Sequence, residues 1–365
     1  MIKVKQVVEA LELRAPFGYQ ESYDNSGLHT GSLEQEVTGI LVCLDVLPEV
    51  LDEATKGGYN LIISHHPPFF SGLKNFTGSS LAVRVLHQAI RDDLVLLSAH
   101  TNLDSMADGV SGRLAALIGL KKTSVLVPRQ DDLVKLVCYV PSAHLDAVSQ
   151  AVFTAGAGQI GLYDSCGFSS AGTGTFRAGL GTNPFIGEHG KLHQEEETRF
   201  ETIVPKPLIK VVVGAMLAAH PYEEVAYDLV PLANVNFSAG LGAVGDLQVP
   251  EKAEAFLERV KKLLGLPMLR HSVFHGQMVK RVAVCGGSGS DFIQAAACAG
   301  ADVYLTADIK YHAWFDVPAD LLLADIGHYE SERVAMTILH DYLIEKFPTF
   351  AVRLTEVNTN PIKYL

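Results

Sequence analysis

The most regular feature of the chain is a series of short, nearly uninterrupted apolar runs. They occupy residues 37–45, 60–64 and 94–99, and later residues 280–285, 302–306 and 321–325. Such runs are typical of strands buried on both faces of a parallel sheet. Helical patterns separate them, as at residues 48–56, where Pro48 can begin a helix and Gly57 can end it. The alternation predicts an α/β fold with a two-lobed, three-layer core.

The middle of the chain follows a different pattern. The elements predicted there are strand 133–140, helix 143–155, strands 161–169 and 198–204, helix 208–219 and strand 224–229. This β-α-β-β-α-β order is ferredoxin-like. Turn-forming residues flank it at 128–132 and 234–245. We therefore predict core lobe 1 over residues 1–130, an inserted α+β domain over 131–234 and core lobe 2 over 235–365.

Length and composition narrow the class of protein. A chain of 365 residues is long enough for two or three domains. Its 29 Lys+Arg against 41 Asp+Glu give a net charge of −12, so we expect no nucleic-acid partner. No apolar run is long enough to span a membrane, and Glu9 and Glu12 interrupt any signal peptide. Five cysteines without CxxC spacing predict buried free thiols in a reducing cytoplasm.

Side chains that can bind metals follow three of the predicted strands. They are His65, His66, Asp104, His328 and Glu332. The carboxyl ends of parallel strands lie at one edge of a sheet, where ligands gather. His328 and Glu332 are four residues apart and would share one face of a helix. Taken singly, the histidines could be solvated loop residues and Asp104 a helix N-cap.

Together these residues offer three imidazoles and two carboxylates, and no thiolate. That mixture suits Zn, Fe, Mn or Co and leaves coordination positions open. It can also hold two ions roughly 3.5–4 Å apart, with Asp104 as the candidate bridging carboxylate. The residues therefore predict two divalent metal ions per chain and metal-dependent hydrolysis.

Further residues are candidates for lining the same pocket, although no catalytic residue is assigned. They are Asp45, His100, Lys310 and His312. His312 could exchange protons and Lys310 could pair with an anion, but all four could equally be ordinary loop or packing residues. The glycine-rich residues 285–290 could cradle an anion or form a tight turn. They lack the complete dinucleotide fingerprint, which argues against a nicotinamide-dependent dehydrogenase.

Six motifs distributed over the chain carry a family resemblance. They are ESYDNSGLHTG (21–31), SHHPP (64–68), AHTNLD (99–104), TADIKYH (306–312), GHYESE (327–332) and NTNPIKYL (358–365). With them the chain resembles the NIF-three-like family, also called GTP cyclohydrolase I type 2 homologues. The resemblance implies that His65, His66, Asp104, His328 and Glu332 bind two divalent ions. It also implies a toroidal homohexamer.

The segment HPYEEV at residues 220–225 resembles the CutA-like (PII-like) insert of the longer bacterial members. Two functions stay open at this point. One is a metal-dependent hydrolase, of cyclohydrolase or phosphoesterase type, acting on a nucleotide-like or phosphoester substrate. The other is a non-catalytic metal-holding or regulatory ring whose insert binds a small effector. We expect a cytoplasmic protein, copies of itself as partners and an unidentified small-molecule ligand.

Overall fold

The structure, a computed structural model, describes residues 2–78, 80–274, 276 and 278–365. The α-helices are α1 Val4–Arg14, α2 Pro48–Gly57, α3 Leu81–Arg91, α4 Thr101–Asp104, α5 Val110–Ile118, α6 Leu145–Thr154, α7 Ile209–Ala219, α8 Ala253–Leu264, α9 Ile293–Cys298, α10 His328–Glu332 and α11 Val334–Lys346. Short 3₁₀ helices lie at Phe17–Tyr19, Ser142–His144, Lys206–Leu208, Ser290–Phe292 and Tyr311–Asp316.

The strands form three sheets. They are β1 Gly27–Leu28, β2 Ile40–Cys43, β3 Leu61–Ser64, β4 Val95–Ser98, β5 Lys121–Arg129, β6 Leu133–Pro141, β7 Gly167–Arg177, β8 Leu192–Pro205, β9 Tyr227–Pro231, β10 Asn236–Lys252, β11 Arg270–His271, β12 Met278–Ser288, β13 Val303–Ala307, β14 Leu322–Asp325 and β15 Val352–Leu354. The chain divides into two compact units. The larger unit comprises Met1–Pro128 and Ser238–Leu365, and the smaller comprises Arg129–Phe237.

The first sheet of the larger unit has the strand order β1-β4-β3-β2-β15. All neighbouring pairs are parallel except β1 with β4. Alternate residues of β2 enter different hydrophobic clusters: Ile40 and Val42 pack with residues of α1 and α11, and Leu41 and Cys43 with residues of α2 and α3. Helices therefore cover both faces of the sheet, as the continuous apolar runs predict.

The second sheet of the larger unit has the order β11-β14-β13-β12-β10-β5. Its centre, β12-β13-β14, is parallel. Val282 and Val284 of β12 pack with residues of α5 and α8, whereas Ala283 and Cys285 pack with residues of α9. The carboxyl ends of the three central strands meet at one edge of this sheet.

The smaller unit has the antiparallel order β7-β8-β6-β9, and its elements follow the ferredoxin-like order β6-α6-β7-β8-α7-β9. Val148 of α6 and Met216 of α7 share its core with Leu136 and Phe200 of the sheet. The prediction of a strand at residues 161–169 is wrong for residues 161–166. Strand β7 begins only at Gly167, because the preceding residues form turns, with Gly161 at a φ of +60°.

Two other boundaries differ from prediction. Residues 234–245, predicted as a linker, lie largely in the long strand β10. Gly240 in this strand is needed for close packing rather than for a turn. A Cβ on Gly240 would lie 2.8 Å from the Pro128 Cα, so only glycine fits between the strands. The helical pattern of residues 330–347 predicts one helix, but the structure has two: α10 begins at His328, and α11 begins after Arg333.

The thiols and the membrane prediction can also be compared with the structure. Cys43, Cys138 and Cys285 are free and buried, as predicted, but Cys166 is partly buried and Cys298 is exposed. Cys298 ends α9, where its side chain is open to solvent. Within the residues that the structure describes, no helix is long and apolar enough to cross a membrane.

Candidate metal centre

Residues that follow the parallel strands of both sheets converge in the larger unit. His65 and His66 follow β3, His100 and Asp104 follow β4, and His328 and Glu332 lie on α10 after β14. We call these six residues the histidine–carboxylate cluster. It contains every residue of the predicted ligand set, together with His100.

Glu332 contacts one histidine from each sheet's side of the cluster. One oxygen of Glu332, Oε2, lies 2.8 Å from His66 Nε2 and 2.9 Å from His328 Nε2. His65 Nε2 lies 3.6 Å from Asp104 Oδ1. Potential ligand atoms lie within 4.8 Å of one another in two groups: His65, His66 and His100, and His66, His328 and Glu332. His66 belongs to both groups, so the two are contiguous.

The Nδ1 atom of each clustered histidine is held by an oxygen acceptor. The pairs are His65 with Ala99 O at 2.9 Å, His66 with Asp45 Oδ1 at 2.7 Å, His100 with Asp24 Oδ1 at 2.8 Å, and His328 with Asp308 Oδ2 at 2.7 Å. When Nδ1–H donates, Nε2 carries the lone pair that can bind a metal. Metal-binding histidines in proteins are commonly fixed in this way.

His65 has the side-chain atom that best fits a bound cation. Its Nε2 is buried and has no hydrogen-bond partner among the described residues, since Asp104 is too distant for a hydrogen bond. Burial lowers the pKa of His65 to about 3, so the ring is neutral and its Nε2 lone pair points into the cluster. Leaving such an atom unpaired costs about 1–3 kcal/mol. A bound cation would satisfy it.

The pKa values of His66 and His328, the two histidines that contact Glu332, are shifted in the opposite direction. Burial alone would lower the pKa of His66, but its hydrogen bonds to Asp45 and Glu332 raise it to about 9. Burial likewise opposes the rise at His328, whose bonds to Asp308 and Glu332 bring its pKa to about 10. The protons on His66 and His328 balance the carboxylate charge that bound metal cations would otherwise balance.

The pKa values of the two carboxylates in the cluster, Glu332 and Asp104, are shifted in opposite directions. Burial would raise the pKa of Glu332, but hydrogen bonds from His328 and His66 hold it well below its usual value. Burial and the nearby charge of Glu332 raise the pKa of Asp104 well above its usual value. Two carboxylates thus lie close enough in one buried site for the charge of one to disfavour the charge of the other, and a divalent cation would reduce that repulsion.

The glycine-rich residues 285–290 form neither a loop nor a tight turn: they lie mostly in the end of strand β12, where they pack against Glu332. Their amides are already engaged: Gly286, Gly287 and Gly289 donate to the hydroxyls of Ser111, Ser331 and Thr306. They do not form the anion cradle that the sequence left open. Gly287 has a φ of +62°, and a Cβ there would overlap Glu332 Oε1.

The remaining candidates fall into two groups. Asp45 lies beside the cluster as the acceptor for His66, and His100 lies within it. Lys310 and His312 are exposed, and the His312 ring contacts Tyr311 and Phe315. The alternative role of Asp104 as a helix N-cap is wrong, because Asp104 ends α4 and the next helix is capped by Gly109.

Sequence reasoning missed two of the acceptors, Asp24 and Asp308. Asp308 directly follows β13, so the rule that identified the other candidates could have found it. Asp24 lies in the loop before β1, where its only signal is membership of the ESYDNSG motif. The Asp24 side chain also accepts hydrogen bonds from Ser26 and Thr101.

Comparison with known proteins finds similarity along nearly the whole chain. The family model Duf34/NIF3 (NGG1p interacting factor 3) matches residues 2–361. A GTP cyclohydrolase 1 type 2 homolog from Bacillus subtilis is 38% identical over 99% of this chain and 98% of its own. One from Mycobacterium tuberculosis is 35% identical, over 99% and 96%.

Solved structures match as well. The crystal structure of a Bacillus cereus protein related to NIF3 has a TM-score of 0.85 and 36% identity, covering 100% of this chain and 99% of that chain. Staphylococcus aureus protein SA1388 has a TM-score of 0.74 and 29% identity, with the same coverage.

Proposed function

This chain belongs to the Duf34/NIF3 family, and from that membership we propose that it is a metal-dependent hydrolase with two divalent ions per chain. The proposed ligands are His65, His66, Asp104, His328 and Glu332. The observation that carries the proposal is the buried, unpartnered Nε2 of His65 inside a group of side chains that can all bind a cation. The proposed substrate is a nucleotide-like compound or a phosphoester.

The chemistry of the donors supports this choice. Nitrogen and carboxylate ligands without thiolate suit Zn, Fe, Mn or Co. Two such ions supply a Lewis acid, lower the pKa of water to near neutrality and offset negative charge that develops during hydrolysis. The name GTP cyclohydrolase 1 type 2 homolog, carried by the relatives, supports a nucleotide-like substrate.

The chain's own residues would prepare the centre for these ions. Asp45 and Asp308 fix the rings of His66 and His328, so that both Nε2 atoms face Glu332. Fixing the rings before metal binds reduces the reorganisation that binding requires. Asp104, opposite His65, is the proposed bridging carboxylate.

Metal content tests the proposal most directly. We expect two ions per chain in protein purified without chelators, located by anomalous scattering at several absorption edges. The double variant His65→Ala/Asp104→Ala should lose bound metal and turnover. His87, which is exposed on α3, gives the matched control His87→Ala, which should retain both. A wild-type chain without metal, or a metal-free double variant that keeps full activity, would contradict the proposal.

The substrate class needs a separate search. Metal-loaded protein would be screened against nucleoside triphosphates, cyclic phosphodiesters and simple phosphomonoesters, with the double variant beside it. We expect turnover of at least one class by the wild type alone.

A second candidate function is a non-catalytic, metal-holding or regulatory ring. The smaller unit favours it, because ferredoxin-like domains often serve assembly and regulation, an analogy from fold alone. In this proposal the smaller unit is CutA-like, binds a small effector, and contributes to a toroidal homohexamer. Light scattering would measure the mass of the assembly and so test whether it is a hexamer. Metal-loaded hexamers that turn over none of the screened compounds would favour this candidate over the hydrolase.

A further inference from the structure

We propose that Thr359 and Asn360 are positioning residues of the metal centre, each acting through a carboxylate on ligands from a different sheet. The two residues belong to the NTNPIKYL motif, to which the proposed function assigns no role. The inference rests on that proposed function, because it concerns the same cluster. We call residues 355–362 the tail segment.

The tail segment is brought to the centre by the first sheet. Strand β15 pairs in parallel with β2, Val352 opposite Ile40, so the chain leaves β15 at the same edge where β2 ends. Glu53 of α2 then holds it: the Thr355 hydroxyl and the Glu356 N–H both donate to its carboxylate, the latter at 2.9 Å. These contacts direct the next residues toward Asp45.

Thr359 fixes the carboxylate that orients His66. Its side chain is buried, with 5% exposure, and its hydroxyl donates to Asp45 Oδ2 at 2.6 Å. The other oxygen, Asp45 Oδ1, accepts from His66 Nδ1 at 2.7 Å. A carboxylate held at one oxygen can rotate about its side chain, whereas one held at both is fixed. Thr359 therefore restrains the ring of His66 through Asp45.

Asn360 also acts through a carboxylate, that of Glu330 on α10, which follows the second sheet. Its Nδ2 donates to Glu330 Oε1 at 3.0 Å, and Glu330 is buried on α10. The other carboxylate oxygen of Glu330 lies against Gly327, where a Cβ would overlap it. Gly327 immediately precedes His328, so Asn360 restrains the start of the helix that carries the ligands.

Local turns keep these two side chains in place. The Asn360 N–H donates to Asn358 Oδ1 and the Ile362 N–H donates to Asn360 Oδ1, both at 3.0 Å. Such turns, in which an asparagine side chain accepts from a backbone amide two residues later, fix the backbone locally. Adjacent residues of the tail segment thus restrain His66 from one side and His328 from the other.

Cobalt binding by the full-length protein tests the inference. Thr359→Val keeps the side-chain shape and removes the donor, whereas Thr359→Ser keeps the donor. Thr202→Val is the matched control, since Thr202 has the same 5% exposure and its hydroxyl donates to Cys166 O in the smaller unit, which holds no proposed ligand. Co²⁺ affinity would be measured by chelator competition at constant pH, with the visible absorption spectrum and the Tm of the metal-free protein.

We expect T359V to bind Co²⁺ about 3- to 10-fold more weakly and to shift the absorption bands. The effect should be smaller than the roughly 10- to 100-fold loss that follows removal of a ligand's direct partner. T359S and T202V should match the wild type in affinity and spectrum. Asn360→Ala should weaken Co²⁺ binding to a similar extent through the second sheet.

Other outcomes would overturn the inference. If T359V and N360A bind Co²⁺ as the wild type does, the tail segment has no positioning role, while the proposed metal centre stands. If T359V lowers the Tm of the metal-free protein far more than T202V does, its role is general stability and the inference is wrong. A wild-type chain that takes up no Co²⁺ overturns the proposed function together with this inference.

Discussion

Each clustered histidine offers one ring nitrogen to a fixed acceptor and keeps the other for the cluster. Three of the acceptors are carboxylates, which are stronger partners for an imidazole N–H than the backbone carbonyl that holds His65. The sequence could identify the proposed ligands because they follow strands. The same rule places Asp308 at the site, but its pairing with His328 depends on loop conformation, with a φ of +55° at Asp308, which the sequence pattern does not predict.

The loss of one acceptor should weaken the centre without unfolding the protein. Asp308→Asn keeps an oxygen that can accept from His328 Nδ1 but loses the negative charge, so the ring would be held less firmly. We expect divalent-metal affinity to fall roughly 10- to 100-fold, measured by chelator competition. Asp52→Asn, at an exposed carboxylate that pairs with Gln88, should leave affinity unchanged. Equal affinities in the two variants would contradict the role of Asp308.

Gly287 should be required for Glu332 to reach its position. Gly287→Ala introduces a Cβ that overlaps Glu332 Oε1, in addition to the strain of about 1 kcal/mol that a left-handed backbone imposes. Gly265→Ala at a φ of +67°, with open space around it, carries the strain alone. We expect both to lower the free energy of unfolding similarly, and only G287A to lose metal affinity, by more than roughly tenfold. Metal binding by G287A equal to that by G265A would show that Glu332 tolerates displacement.

Elements were predicted well where burial is uniform and poorly where it is mixed. Strands β2, β3 and β4 are buried at every position, and their apolar runs identify them without ambiguity. Strand β10 alternates irregularly between buried and exposed residues and contains glycines, so its sequence is typical of a linker. Its strand conformation is stabilised by the neighbouring strands β12 and β5, which local sequence cannot reveal.

In the smaller unit, the end of α7 should give the domain a pH-dependent stability. His220 Nε2 donates to Tyr139 O at 3.0 Å, and its Nδ1 accepts from the Tyr222 N–H at 3.1 Å. Burial lowers the pKa of His220, outweighing the opposing Tyr139 hydrogen bond and the charge of Glu197, while His144 lowers it further. The folded state therefore favours the neutral ring.

The stabilisation is fully present above the unfolded pKa of about 6.5 and is lost as the pH falls from there through the lower folded pKa. We expect amide exchange in β6, corrected for intrinsic rate, to accelerate between pH 7.5 and 5.5. His220→Gln should reduce this pH dependence, whereas His189→Gln, at an exposed position, should not. An unchanged dependence in H220Q would assign the effect to other groups.

In the molecule as a whole, the smaller unit is one continuous stretch of the chain, Arg129–Phe237. Asn236 Nδ2 donates to Asp132 Oδ2 at 2.7 Å, so the chain enters and leaves this unit at neighbouring points. All proposed ligands belong to the larger unit. Replacing residues 133–235 by a short Gly-Ser linker should therefore preserve metal content per chain, measured by elemental analysis. Loss of metal in a variant that remains folded by circular dichroism would mean that the smaller unit supports the centre.

The contact between His66 and Glu332 joins residues 266 positions apart. During synthesis, an emerging chain carries His65 and His66 long before Glu332 exists, and N-terminal parts fold first. The proposed metal site can be completed only when nearly the entire chain has been made and both sheets have formed. Metal uptake would therefore report the end of folding, and a truncated or half-folded chain could not form the full proposed site.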